Sequence, residues 1–202
     1  PNGALFKTDT RGFLPEIMES IYNDRVIFKR KMLEAKQQYE NTKDPKLLKD
    51  ISRYSNIQMA KKISLNSAYG AIGNVWFRYY DLLVAEAITT GGQLSIRWIE
   101  RALNKYLNNL LGTDKHDYVL ASDTDSGYIT FDKLVNKVFG EQPDTTKVIN
   151  FLDTIATDKI EPFIDKSYQE LAGYVNAYSN KMSMKREVIA VLLYTSHAAY
   201  EL

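Results

Sequence analysis

Five residues, Asn41-Thr42-Lys43-Asp44-Pro45, separate two long stretches of helical period, and a connection that short makes the two helices antiparallel neighbours. The first stretch runs from Leu14 to about Glu40, with Pro15 in its first turn and apolar residues at Ile17, Ile21, Phe28, Met32 and Ala35. The second runs from about Pro45 to Tyr69, with Asp44 as its N-cap, Pro45 at its first position and Leu47, Ile51 and Tyr54 on one stripe. A helical hairpin over residues 14–70 is therefore the first commitment, and the rest of the chain must be compatible with it.

The hairpin is basic, and its charges are placed unevenly. Arg25 interrupts the apolar stripe of the first helix, and Lys29 lies one turn further along the same face. On the second helix Lys62, Asn66 and Tyr69 are spaced i, i+4, i+7 and share a face. The whole chain has 26 basic and 25 acidic residues, a net charge of +1 that hides this local excess. Such a basic stretch suits a polyanion, although on charge alone a solvated helical face is the simpler reading.

Beyond the hairpin, Asp81 reads as the N-cap of a long helix to about Leu111, with Leu83, Ala87, Leu94, Trp98, Ala102 and Tyr106 on its buried side. Gly91-Gly92 in its middle suggests a close crossing by another element. Two short alternating runs follow, Asp117 to Leu120 and Gly127 to Phe131, with Ala121-Ser122-Asp123-Thr124-Asp125-Ser126 between them. They predict a β-hairpin with two carboxylates at its tip. A short helix from Lys133 to Gly140, a helix from Thr146 to about Asn176 kinked at Pro162, and a strand from Met182 to Tyr194 complete the pattern. The first dozen residues look like a hairpin or edge fragment, and a start at Pro1-Asn2-Gly3 without methionine looks cut from something longer. The expected class is α+β, with antiparallel strands backed by helices.

In a strand, Asp123 and Asp125 point to the same side, so their charges converge. Asp-x-Asp at a turn is a common structural device, and the simplest account of the tripeptide alone is a turn. A calcium loop of the EF-hand type is excluded, because Leu134 falls where the bidentate glutamate belongs and Gly127 is one place early. The remaining possibility is an oxygen-rich site suited to Mg²⁺, and carboxylate-held Mg²⁺ points to phosphoryl or nucleotidyl transfer. Arg25, Lys29 and Lys62 could then hold a triphosphate. Other chemistries lack support. His116 and His197 have no serine or cysteine at a telling spacing, and there is neither a P-loop nor a GxGxxG fingerprint. The chain has no cysteine, no signal-peptide pattern and no apolar run of membrane-spanning length, which gives the expectation of an intracellular protein without a membrane partner.

Two segments together resemble family B DNA polymerases. Lys62-Ile63-Ser64-Leu65-Asn66-Ser67-Ala68-Tyr69-Gly70 is similar to the family's K-x-x-x-N-S-x-Y-G motif, and Asp123-Thr124-Asp125-Ser126 to the D-T-D-S of its palm. Asn74-Val75-Trp76-Phe77-Arg78-Tyr79-Tyr80-Asp81 and the opening Pro1-Asn2-Gly3 look most like the replicative polymerases of T4-like bacteriophages. The resemblance implies a palm edge segment over 1–13, a fingers hairpin over 14–70 and a partial palm over 71–202. It implies that Arg25, Lys29 and Lys62 hold the incoming triphosphate and that Asn66 and Tyr69 line the nascent base-pair pocket. It assigns Gly70 and Thr124 to DNA contact, Asp123 and Asp125 to catalysis and metal binding, and Glu187 to the downstream palm acid near the metal. Two Mg²⁺ ions, primer-template DNA, deoxynucleoside triphosphates and the remainder of the polymerase are the implied cofactors and partners; for a phage protein the compartment is the host cytoplasm.

The match has departures. Ala121-Ser122 stands where the family has Tyr-Gly, and the family's other metal-binding aspartate, in a D-x-x-S-L-Y-P-S motif, has no counterpart in this chain. The expectation is a polymerase segment that does not extend a primer alone. A split polymerase completed by a second chain, and a non-catalytic nucleic-acid-binding remnant, are the other two readings.

Overall fold

The helical hairpin forms as the short connection requires. In the computed structural model, which describes residues 1–123, 126–140 and 144–189, α1 (Phe13–Thr42) and α2 (Lys46–Ile72) are joined by three residues. Lys43 stops α1 by adopting the left-handed conformation, φ 53°, with its N–H on the Tyr39 carbonyl at 2.7 Å. Asp44 accepts the Lys46 N–H at 2.9 Å, the predicted capping bond, and the helix begins one residue later than expected. Met32 and Ala35 of α1 and Gln58 of α2 are buried, and the Phe28 and Tyr54 rings lie 6.2 Å apart. Ile17 departs from the predicted stripe and is exposed.

The chain divides into two compact units, Pro1–Thr90 and Gly91–Leu202, with the boundary inside α3 (Leu82–Leu111). The first unit holds the hairpin and a tight turn closed by Asp81 N–H on the Ile72 carbonyl at 3.0 Å. Asp81 then caps α3 through the Val84 N–H at 3.1 Å, as predicted. The first twelve residues form no strand, contrary to the hairpin reading. Leu5 is 97% exposed, so the apolar run buries nothing that could hold a strand, and Asn2 fastens the segment by donating to the Leu83 carbonyl at 2.9 Å.

In the second unit a core forms from Ile99, Leu103 and Leu107 of α3, Tyr118 and Val119 at the start of the sheet, and Ile160, Ile164, Tyr168 and Leu171. The buried stripe of α3 is therefore offset from the expected one. Leu94, Trp98 and Tyr106 pack at its edge, whereas Leu83 is exposed in the first unit. Nor do Gly91 and Gly92 mark a close crossing: a Cβ at either would meet nothing within 4 Å.

The sheet has two antiparallel strands, β1 (Val119–Asp123) and β2 (Ser126–Ile129), paired through Val119–Ile129, Ala121–Tyr128, Ser122–Gly127 and Asp123–Ser126, with an irregularity between Val119 and Ala121. The architecture is mostly helical with this small sheet, within the expected α+β class. Two helices follow, α4 (Asp132–Phe139) and α5 (Thr145–Ile155). The predicted break at Pro162 appears as a five-residue π turn, Ala156–Ile160, leading into α6 (Glu161–Tyr174). Proline lacks the N–H that would bond four residues back, and the wider turn before it absorbs that misfit.

The strand expected from Met182 does not form over residues 182–189. Its polar groups go to side chains instead of a sheet: the Arg186 N–H donates to Glu161 at 3.0 Å and its guanidinium pairs with Asp153 at 2.5 Å. The remainder of that predicted strand, and His197, lie outside the described residues.

Candidate nucleotide and metal-binding site

The hairpin sorts its polar residues by a simple rotation rule. The seam between α1 and α2 is lined by Ile21, Arg25, Phe28, Met32 and Ala35 on one side and by Tyr54, Gln58, Lys61, Leu65 and Ala68 on the other, all buried or half-buried. Each step along an α-helix turns a side chain by about 100°. For antiparallel helices seen from one end, that turn runs in opposite senses, so residues that each follow a seam residue emerge on the same side. Lys29 follows Phe28, while Lys62, Asn66 and Tyr69 follow Lys61, Leu65 and Ala68. All four leave on one face.

Arg25 lies in the seam itself. It is half-buried, and its Nε is fully buried without a hydrogen-bond partner among the described residues. A buried N–H left unpaired costs about 1–3 kcal/mol, so the position carries a polar group that the fold alone does not satisfy. Asp24 precedes a seam residue and therefore emerges on the opposite face, where it accepts the Lys61 ammonium at 2.7 Å.

That contact and the Phe28–Tyr54 pair fix the level of the two helices. At about 1.5 Å per residue, the Asp24–Lys61 level puts Lys29 and Lys62 about 9 Å apart along the axis and the Phe28–Tyr54 level about 14 Å, and Tyr69 lies about 10 Å beyond Lys62. The face thus presents two ammonium groups, an amide and a phenol in order.

The phenol is fixed from below. Tyr69 Oη and Thr89 Oγ1 are 2.7 Å apart, and the single Thr89 hydroxyl proton goes to the Ala85 carbonyl at 3.2 Å, so Tyr69 is the donor. Around this bond opens a groove of about 450 Å³, lined by Tyr69, Gly70, Gly73, Leu82, Ala85, Glu86, Thr89 and Thr90. A Cβ at Gly70 would meet nothing within 4 Å. Thr89 has no motif to signal it in the sequence, since its role depends on a helix that begins after the aromatic turn.

In the second unit the carboxylate tip is carried on a braced hairpin. Asn104 of α3 accepts the N–H groups of Tyr118 at 2.7 Å and Val119 at 3.2 Å, and its amide donates to Asp117 at 2.8 Å. One turn later Asn108 accepts the His116 N–H at 3.0 Å and donates to the His116 carbonyl at 2.7 Å. These two asparagines set where β1 starts, and neither stood out in the sequence. Asp123 ends β1 opposite Ser126 and is exposed. Thr124 and Asp125, between the paired ends, lie outside the described residues.

Glu187 is exposed and follows the anchored Arg186. Its segment passes the sheet: Met184 lines one small pocket with Ser122, Gly127 and Ile129. Ser122, in place of the family's glycine, faces Gly127 across the ladder, so the substitution is accommodated opposite a residue without a side chain. Among the described residues no three histidine, aspartate or glutamate side chains cluster closely enough to hold a metal ion. The donor chemistry nevertheless suits Mg²⁺, which takes one or two carboxylates and completes its shell with water and phosphate oxygens. Asp123 presents such a carboxylate at a solvent-open strand end.

No helix among the described residues is long and apolar enough to cross a membrane. The chain matches the profile of DNA polymerase family B over residues 2–159. It is 36% identical to the DNA-directed DNA polymerase of Escherichia phage RB69 and 33% identical to that of Enterobacteria phage T4, each over 94% of this chain and 26% of the relative. A DNA polymerase delta catalytic subunit of Oryza sativa subsp. japonica is 29% identical over 65% of this chain and 11% of its own length. The chain thus spans about a quarter of the length of the phage relatives. With the profile covering most of its residues, the chain belongs to DNA polymerase family B.

Proposed function

We propose that this chain supplies the fingers hairpin and part of the palm to template-directed transfer of deoxynucleotides onto a primer 3′ end. The observation that carries this reading is the sorted face of the hairpin, with Lys29, Lys62, Asn66 and Tyr69 together and Arg25 in the seam. Lys62 and Lys29 neutralise triphosphate oxygens, and the Arg25 guanidinium finds in phosphate the partner its Nε lacks. Asn66 and Tyr69 border the base and sugar, and the groove beside Gly70 admits the nascent pair. Asp123, Asp125 and Glu187 are the residues that would hold Mg²⁺, which when bound supplies Lewis-acid polarisation of the phosphoryl oxygens.

The phage relatives are about four times as long, so the reaction is read as shared with the rest of a polymerase, in the same or a second polypeptide. Primer extension tests it. The chain alone, with Mg²⁺ and deoxynucleotides, is expected to give none; adding a polypeptide that bears D-x-x-S-L-Y-P-S and the thumb is expected to give extension that Asp125→Ala abolishes. Extension that survives Asp125→Ala refutes the site. Salt-dependent DNA binding with no metal dependence and no extension in the complemented mixture identifies a binding remnant instead.

A further inference from the structure

We propose that Asp24 is a positioning residue that holds the Lys61 ammonium on the back of the hairpin, away from the face bearing Lys29 and Lys62. The inference rests on the reading of that face as triphosphate-binding.

Lys61 starts in the seam, with its side chain only 25% exposed, and its neighbour Lys62 emerges on the binding face. A lysine stem has four methylenes and carries its charge to whichever side of a seam offers water or an anion. Asp24 decides the side. It precedes Arg25, emerges opposite the binding face, and meets Lys61 Nζ at 2.7 Å. A half-exposed ion pair contributes little to stability, so its main consequence here is directional. With Lys61 drawn back, an incoming polyphosphate meets Arg25, Lys29 and Lys62 and no fourth cation from this seam. The effect is to keep the affinity of the face for phosphate moderate and its charges in defined places.

The test is titration of the full chain with inorganic triphosphate by calorimetry at low ionic strength, where surface charge is least screened. Asp24→Asn is expected to tighten binding by about two- to fivefold, the scale of one released surface ion pair. Asp24→Asn combined with Lys61→Met is expected to return to the parental affinity, Lys61→Met alone to leave it unchanged, and Asp24→Glu to preserve it. Circular dichroism establishes that each variant is folded, and the Lys61→Met and Asp24→Glu arms stand if Asp24→Asn is not.

Weaker binding by Asp24→Asn would mean that the pair clamps the helices, and overturns the proposal. Unchanged binding by Asp24→Asn overturns it too. A gain that persists in the double variant, whose net charge is the parental one, shows that Lys61 is not the group released, and weaker binding by Lys61→Met alone reduces the series to net charge; either overturns it. Lys62→Ala separates this inference from the reading beneath it. If Lys62→Ala leaves binding unaltered, or no saturable binding occurs, the assignment of the face fails; if Lys62→Ala weakens binding while the Asp24 series is flat, only the role of Asp24 fails.

Discussion

Asn104 holds the backbone of Tyr118 through a 2.7 Å bond from a helix to the entry of the carboxylate hairpin, and the same side-chain oxygen accepts the next N–H, at Val119. Tyr118 and Val119 belong to the core of the second unit, so this amide ties the site-bearing strand to packed structure. Asn104→Ala leaves the Tyr118 N–H without its acceptor, while the Val119 N–H keeps Asp117 at 3.2 Å, and should cost about 1–3 kcal/mol in urea denaturation. Asn104→Asp keeps the acceptor but faces the Asp117 carboxylate where an amide now donates at 2.8 Å. Two carboxylates that close raise each other's folded-state pKa. The penalty should therefore be present at neutral pH and diminish as the solution is acidified and the pair takes up a proton. A penalty that grows on acidification contradicts the geometry.

The Tyr69–Thr89 bond makes a coupling prediction. Tyr69 donates to an oxygen whose proton is already committed to Ala85, so Tyr69→Phe and Thr89→Val each remove the same interaction. Each should destabilise the first unit by about 0.5–1.5 kcal/mol, and the double variant by little more than either alone. Full additivity in a double-mutant cycle would show that the two hydroxyls act separately.

Burial separates two large residues that look equally apolar in sequence. Leu107 is completely buried among α3, Tyr118 and α6, and Leu107→Ala is expected to lose about 2–5 kcal/mol. Trp76 is 92% exposed on the turn before α3, and Trp76→Ala should change stability by about 0.5 kcal/mol or less. Thermal unfolding followed by circular dichroism distinguishes them, and a large loss from Trp76→Ala would mean that the ring is covered.

Local signals were legible from the sequence wherever one element determines its own form. The Asp44-Pro45 junction, the Asp81 cap and the break near Pro162 are set by backbone chemistry within a few residues, and all three appear. Face assignments were harder. Periodicity places Leu83 on the buried stripe of α3, yet burial there follows Ile99, Leu103 and Leu107, because the core partners of α3 are Tyr118 and residues of α6, which its own period does not encode. Over residues 182–189 the expected strand does not form, for a related reason. Alternation shows that a segment can pair, but among the described residues its N–H at Arg186 meets Glu161 and no strand. Of the candidate site, the grouping of Lys62, Asn66 and Tyr69 could be read from spacing alone. The bracing by Asn104, Thr89 and Asp24 could not, since each acts on a residue 14 to 37 positions away.

Arg25 poses stability against binding. Its Nε is buried in the seam without a hydrogen-bond partner among the described residues, while its charge interrupts a stripe that is otherwise apolar. Arg25→Met keeps most of the stem packing and removes the unsatisfied donor. The variant should be as stable as the parent or more stable by up to about 1–3 kcal/mol, the cost of a buried unpaired polar group. Triphosphate affinity should move the other way, falling about tenfold or more as a charge-assisted contact is lost. Urea denaturation and calorimetric titration of one preparation read both quantities. A variant that loses stability and keeps its affinity would make Arg25 an ordinary structural residue; stability gained with affinity lost identifies a group kept in the seam for its ligand.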